Sequence, residues 1–391
     1  MQNKPLTVIF ITILLDAMGI GLIFPILPTL LQSVSPQADI APLLGLLAAL
    51  FALMQFFCAP LLGVLADRFG RRPVLLLSLA GASINYLFLA GADSLWMLFL
   101  GRAIAGLTAA NMPVAAALIS DLSPAAERPR LFGRLNAMFG IGFILGPMLG
   151  GLLGDHALRL PFLAAALLTG GNLLLAMVLL PSPPRPAAMK APSPPLNPLA
   201  PLRQALLAKG LLPLIAIFFI FSATGEAYGV CWALWGHDTF HWNGFWIGLS
   251  LGCFGLCQTL AQMFLPGPAV RLLGERATIL LGSACFCLAL LVMALARQGW
   301  LIFAIMPLFS LGGIGTPALQ ALATRQVDDA RQGWLQGVMA AAISLAAILA
   351  PAGFSGLYLL VQAQWPGAVW LSVIFLHLLG ALLVLRLPPI G

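Results

Sequence analysis

The sequence predicts an all-α membrane protein whose twelve transmembrane helices form two six-helix bundles related by a pseudo-two-fold. Three observations carry that expectation. Of 391 residues, 61% are hydrophobic and only 8% charged, with a mean hydropathy of +1.02. A soluble domain carries roughly 25% charged residues, so these are too few to cover a water-facing surface. A soluble enzyme, a secreted module and a disordered chain are thereby excluded, and without a G-X-Y period the 40 Gly and 30 Pro do not make a collagen. Second, continuous apolar runs of about 20 residues recur, whereas barrel strands alternate in polarity over about 10 residues. Third, the two halves of the chain repeat.

The candidate spans in order are 6–31, 41–66, 73–92, 95–118, 135–153 and 161–180, then 211–234, 245–266, 277–296, 300–322, 334–360 and 368–387. At about 1.5 Å of rise per residue each can cross a core about 30 Å thick, some with tilt. The first run contains Asp16 and lacks a small-x-small site, so it reads as a span and not as a cleavable leader. Residues 181–210 hold nine prolines and four basic residues (Arg185, Lys190, Arg203, Lys209) with no acid, which predicts a cytoplasmic linker. Residues 1–180 and 211–391 are then the N- and C-terminal bundles. With the N-terminus cytoplasmic, 16 of the 19 Lys and Arg face the cytoplasm and only Arg159 and Arg297 the other side; Arg102 lies within a span. That bias predicts an inner-membrane protein with both termini inside.

A shift of 204 residues aligns Gly63 with Gly267, Gly70 with Gly274, Arg72 with Arg276, Trp96 with Trp300, Pro113 with Pro317, Gly133 with Gly337 and Pro147 with Pro351. One offset therefore serves turns and helix breaks spread over more than 80 positions. Parallel six-helix repeats are the arrangement in which two bundles rock about a central substrate site. The formal charge of +7 sits in the short gaps between spans, which suits topology and not nucleic-acid binding. All six Cys (Cys58, Cys231, Cys253, Cys257, Cys285, Cys287) fall inside spans without a zinc or CxxC spacing, so they read as buried hydrophobes.

Several groups then stand out chemically. The turn after the second span reads Gly63-Val-Leu-Ala-Asp67-Arg68-Phe-Gly70-Arg71-Arg72-Pro73. Asp67 can accept hydrogen bonds at a helix N-terminus, Gly70 suits a tight turn, and Arg71 and Arg72 can reach an acid such as Asp121. Gly142, Gly146 and Gly150 make a smooth stripe for close packing, while Pro147 should kink its helix. That stripe, with Gly151, is expected to form a close seam between the halves.

Three ionisable groups lie within spans: Asp16, Arg102 and Glu226. Each costs at least ~2.5 kcal/mol at the bilayer centre unless paired or hydrated, so each is a candidate for function. Counted from the inner end of each span, Asp16 lies at a depth of ~15 Å, Arg102 ~20 Å and Glu226 ~22 Å, which allows Asp16 to meet Arg102 and leaves Glu226 without a cation. A carboxylate without a partner in oil is held most cheaply when it spends part of its time protonated. Glu226 is therefore expected to carry the coupling proton, with Asp16 and Arg102 beside it in that role. Gln55, Asn85, Asn111, Asn136, Gln258 and Gln262, with Thr224 and Gln320, could line a substrate cavity or bond helix to helix. Phe254, Trp232 and Trp235 fit an apolar drug pocket or a lipid-facing place. His377, His237 and His241 show no ligand constellation and receive no role. No metal or cofactor is expected, and without a P-loop ATP is not the energy source.

The run Gly63 to Pro73 resembles the signature loop of the major facilitator superfamily, repeated in degraded form as Gly267 to Arg276. Arg102 in Leu100-Gly101-Arg102 resembles that superfamily's fourth-helix arginine motif, and Gly142-x-x-x-Gly146-Pro147-x-x-Gly150-Gly151 its antiporter signature. Leu14 to Leu22, Ala52-Leu53-Met54-Gln55 and Asp67 to Ser78 are similar to the bacterial tetracycline/proton antiporters. The resemblance implies the major facilitator fold and proton-coupled export of an amphipathic, tetracycline-like or multidrug substrate by a monomer. It gives Gly63, Asp67, Arg68, Gly70, Arg71, Arg72 and Asp121 a gating role. That group's third-helix Asp is Asn85 here, its eighth-helix His is Gln258, and its ninth-helix Asp falls on Phe286, so the coupling acid must lie elsewhere. An exporter or symporter of a natural metabolite such as a siderophore, and a non-transporting receptor or scaffold, are the other readings. No intramembrane enzyme site is expected, for no His–Glu or Ser–His pair lies at matched depth.

Overall fold

A computed structural model describes residues 3–124, 127–180, 212–325 and 332–387. The expected linker at 181–210 and Arg331 lie outside the described residues. Among them the regular structure is helical, and twelve segments are long and apolar enough to cross a membrane. In chain order the helices are α1 (Asn3–Ile23), α2 (Leu27–Val34), α3 (Ile40–Phe69), α4 (Arg71–Ala90), α5 (Leu95–Thr108), α6 (Asn111–Leu122), α7 (Arg128–His156) and α8 (Leu160–Leu179). There follow α9 (Leu212–Phe240), α10 (Gly244–Phe264), α11 (Pro266–Leu273), α12 (Glu275–Leu295), α13 (Gly299–Leu311), α14 (Gly315–Thr324), α15 (Gln332–Val361) and α16 (Ala368–Arg386).

Proline accounts for the departures from the expected spans. The first span stops at Ile23 and not near residue 31, because Pro25 falls in the turn after it and Pro28 opens α2. The fourth span is two helices. Pro113 cannot bond the carbonyl of Ala109, and Thr108 Oγ1 donates back to the Ile104 carbonyl at 2.9 Å, so α5 ends and α6 starts afresh at Asn111. Pro317 has the same effect 204 residues on, where glycine further weakens the helix. There α13 passes through a single 3₁₀ turn, Gly312–Ile314, before α14. Gly70 and Gly274, paired by the same shift, are the only described glycines with positive φ (100° and 80°), and each starts a helix. A side chain would be strained at both.

The chain divides into two compact units. The first draws on Met1–Ala38, Leu50–Asn197 and Asn243–Gly252, the second on Asp39–Ala49, Pro198–Trp242 and Cys253–Gly391. In the first unit Ile9, Ile13, Leu75, Leu79, Leu118 and Ile119 are fully buried together; in the second, Ile217, Ile279, Leu319, Leu322, Leu335 and Val384 are. Outward-facing residues are also apolar, such as Leu167 and Val178 in one unit and Leu360 and Phe375 in the other, as hydrocarbon surroundings require.

The glycine stripe of α7 packs on α1, inside the first unit. A Cβ at Gly146 would come within 2.6 Å of the Met18 carbonyl and 2.8 Å of Gly21 Cα, while one at Gly142 would collide with the Leu14 carbonyl and one at Gly150 with that of Leu22. Four residues per step keep all three glycines on one face. Gly151 and Pro147 instead approach Gly244 and Gly248, at the start of α10. The expected seam between the halves is thus, for the stripe itself, a seam between α1 and α7.

In the second unit, Tyr358 is fully buried in α15 and its hydroxyl donates to Asp238 Oδ2 at 2.7 Å. Tyr358→Phe removes that donor from a carboxylate. It is expected to destabilise the protein by about 1–3 kcal/mol, seen as a lower midpoint of thermal unfolding.

Candidate functional site

The first unit holds a polar cluster around the break in its fourth span. Asp16 is 8% exposed, in α1, and accepts a hydrogen bond from Asn111 Nδ2 at 2.6 Å. Asn111 reaches it because the break ends α5 and makes Asn111 the first residue of α6. The pairing of Asp16 with Arg102 that their depths allow is not formed. The Arg102 guanidinium lies 5.9 Å from the ring centroid of Phe51, and its Nε is buried without a hydrogen-bond partner. Depth along the bilayer normal allowed the pair, but depth says nothing about which face of a helix a side chain takes. Tyr86, buried and within electrostatic reach of both Asp16 and Arg102, was missed from sequence. As one of only three tyrosines, lying inside a span, it could have been flagged.

Asn85 is also buried, and its Oδ1 has no partner; Gly101, on α5, lies against that atom. Thr12 Oγ1 donates to Asn172 Oδ1 at 3.1 Å, tying α1 to α8. Gln55 is half-buried in α3, and Asn136 is exposed on α7.

The loop between α3 and α4 is ion-paired. Arg71 meets Asp67 at 2.6 Å and Asp121, at the end of α6, at 3.6 Å. Asp67 therefore serves an arginine here. Arg72 Nη2 donates to the Met177 carbonyl of α8, and Arg68 lies over the ring of Phe69. Gly63 has open space where a Cβ would stand. The 204-residue shift carries Arg71 to Glu275 and Asp121 to Arg325, and these two also pair, at 3.0 Å. The same tie is made in both units with its polarity reversed.

In the second unit, Glu226 is half-buried on α9 and makes no hydrogen bond or ion pair among the described residues. Through Phe221, Thr224, Gly225 and Tyr228 the same helix borders a cavity of about 260 Å³. Gln258 lines that cavity, with Phe221, Phe254, Phe286 and Phe309. His377 lines it as well. It is buried, its ring is stacked on Phe221 at 4.5 Å and stands 4.7 Å from Phe286, and its Nδ1 is 3.3 Å from Thr224 Oγ1. Phe254 is thus a cavity residue, whereas Trp232 and Trp235 are fully buried against Trp370. Gln262 and Gln320 are exposed. No group of three or more potential metal ligands occurs among the described residues.

Twice-repeated bundles of apolar helices, with broken spans and acids within the spans, are the build of a membrane transporter. The sequence profile of the major facilitator superfamily matches residues 9–245 and 227–390. The chain is 45% identical over 377 residues to the class C tetracycline resistance protein of Escherichia coli, covering 96% of this chain and 95% of that one. It is 42% identical to the class G protein of Vibrio anguillarum, over 96% and 95% of the two chains. Among solved structures, the nucleoside transporter NupG superposes with a TM-score of 0.80 at 17% identity, over 98% of this chain and 99% of the other, a likeness of fold alone. This chain belongs to the major facilitator superfamily, in the group of the bacterial tetracycline resistance proteins.

Proposed function

We propose that the protein exports an amphipathic, tetracycline-like drug from the cytoplasm in exchange for protons, by alternating access. The near-full-length likeness to proteins named for tetracycline resistance carries this reading. Glu226 is the coupling acid, with Asp16 and Arg102 assisting. Proton and drug bind antagonistically where both engage one carboxylate, and by linkage each then drives the other off. Protons arriving from outside discharge the drug outward. The loop from Gly63 to Arg72 with Asp121 gates the cycle, and the polar residues Gln55, Asn85, Asn111, Asn136, Gln258 and Gln262 face the substrate along its path. The protein works as a monomer without a cofactor, in the bacterial inner membrane. The 16-to-2 bias of basic residues supports cytoplasmic termini.

Everted membrane vesicles test the reading. Labelled tetracycline should accumulate in vesicles with an acid interior and stop when a protonophore collapses the gradient, and adding the drug should release protons to the medium. Accumulation that survives gradient collapse, or none for tetracycline or any member of an amphipathic drug panel, overturns it.

A further inference from the structure

The cavity of the second unit has a chemistry of its own. Its lining residues include no Asp, Glu, Lys or Arg. A charged occupant would go unpaired there at a cost of several kcal/mol, so the cavity selects a neutral group. Four phenyl rings, the phenol of Tyr228 and the imidazole of His377 present flat aromatic surface from five helices. Such surface is best satisfied by another planar ring, offset-stacked or edge-on. The volume of about 260 Å³ exceeds a cavity of about 150 Å³ that holds one benzene ring, and suits two fused rings.

Two polar groups have nothing to bond. The Tyr228 hydroxyl is buried without a partner, and the half-buried Gln258 carboxamide makes no hydrogen bond among the described residues. A buried hydroxyl without a partner is expensive in an apolar interior, and a donor–acceptor edge on the ligand would relieve it. The backbone supplies an independent sign. Gly312 and Gly313, in the 3₁₀ turn, border the cavity, and a Cβ on Gly313 would collide with the Gln258 amide. Backbone that leaves the α-helix at membrane depth is tolerated where it lines a cavity or is buried in protein.

We propose that the cavity bordered by α9, α10, α12, α13, α14 and α16 is a binding subsite for a neutral, flat fused-ring part of the exported molecule, its aromatic ring held by stacking and its polar edge by hydrogen bonds from Tyr228 and Gln258. The subsite deepens the export reading and rests on it for the identity of the occupant as cargo. His377 stands within the stack as a ring, with Thr224 fixing its Nδ1 side.

The probe is 2-naphthol, titrated by calorimetry into the purified full chain in detergent, with protein-free micelles as the blank. Gly225 borders the cavity and has nothing within 4 Å of an added Cβ, so Gly225→Leu fills space without a backbone clash. It should weaken 2-naphthol by about tenfold or more, with an unaltered unfolding midpoint. Tyr228→Phe should weaken 2-naphthol about threefold to tenfold and leave naphthalene unchanged, a difference that mere loosening of the fold would not give. The anion 2-naphthoate should bind at least about tenfold more weakly than 2-naphthol. Equal binding of 2-naphthol by wild type and Gly225→Leu, or equal binding of naphthol and naphthoate, overturns the subsite. Drug uptake in vesicles is read separately. Uptake with unaltered naphthol binding in Gly225→Leu removes the subsite and keeps the exporter. The predicted naphthol losses without uptake of any drug keep the aromatic site and remove its role in export.

Discussion

Glu226→Gln is expected to lower drug accumulation driven by a pH gradient severalfold or more while leaving the protein folded and inserted. Glutamine has the shape of glutamate and a similar hydrogen-bonding capacity, but it has no proton to gain or lose at working pH. Glu226 makes no hydrogen bond or ion pair among the described residues, so the change strands no partner and stability should be little altered. What disappears is the antagonism between proton and drug. Coupling between two ligands is typically about 1–3 kcal/mol, which sets the expected fall at about five- to 150-fold. Drug-induced proton release from everted vesicles should vanish with it, whereas drug binding in detergent should persist and lose its dependence on pH. The contrast is Asp16→Asn. Asp16 accepts a 2.6 Å bond from Asn111, so its loss disturbs the contact of α1 with α6 as well as any proton traffic. Full gradient-driven uptake by Glu226→Gln would remove Glu226 from the coupling.

Gly146→Leu is expected to prevent assembly of the first unit. The reciprocal distances leave no slack, since a Cβ at Gly21 would lie 2.7 Å from Pro147 Cδ and 3.0 Å from Gly146 Cα. These neighbours are largely backbone and a proline ring, neither of which can rotate away. Overfilling a packed site usually costs about 1–3 kcal/mol when side chains can shift. Here α1 and α7 must part along a seam that also contains Gly142 and Gly150, so the loss should exceed that range. Gly171→Leu, on α8, is the control: it has nothing within 4 Å of an added Cβ and should be tolerated. Recovery of monodisperse protein and its unfolding midpoint provide the measurement. A Gly146→Leu protein that melts with wild type would mean that the seam is not close-packed.

The spans were legible because apolar length is a one-dimensional property, and so were the three ionisable residues, because charge in such runs is rare. Interruptions within spans were harder to read. Pro113 and Pro317 are paired by the repeat, but Pro60 and Pro351 sit inside continuous helices, so proline alone does not mark a break. At Thr108 the side chain bonding back on the helix helps decide it. Partners were the least legible. Asn111, not Arg102, meets Asp16, and α1 meets the glycine stripe, because azimuth around a helix is set by packing and not by hydropathy. The aromatic cavity was hidden for a different reason. With 24 Phe in the chain, the four that converge are compositionally identical to those that face outward. His377 had no polar neighbours in sequence, and its surroundings exist only once α9, α12 and α16 are assembled.

The inverted ion pairs, Arg71 with Asp121 and Glu275 with Arg325, have a consequence for how such a duplicated chain can drift. Exchanging donor and acceptor at both ends of one tie leaves the attraction in place and the tally of positive residues on that face unchanged. The signs of the clasp are therefore free to be swapped as a couple, invisible to the insertion machinery, while either swap made singly sets like charges against each other. Two ancestral copies could part company in sequence here without ever having lost the fastening.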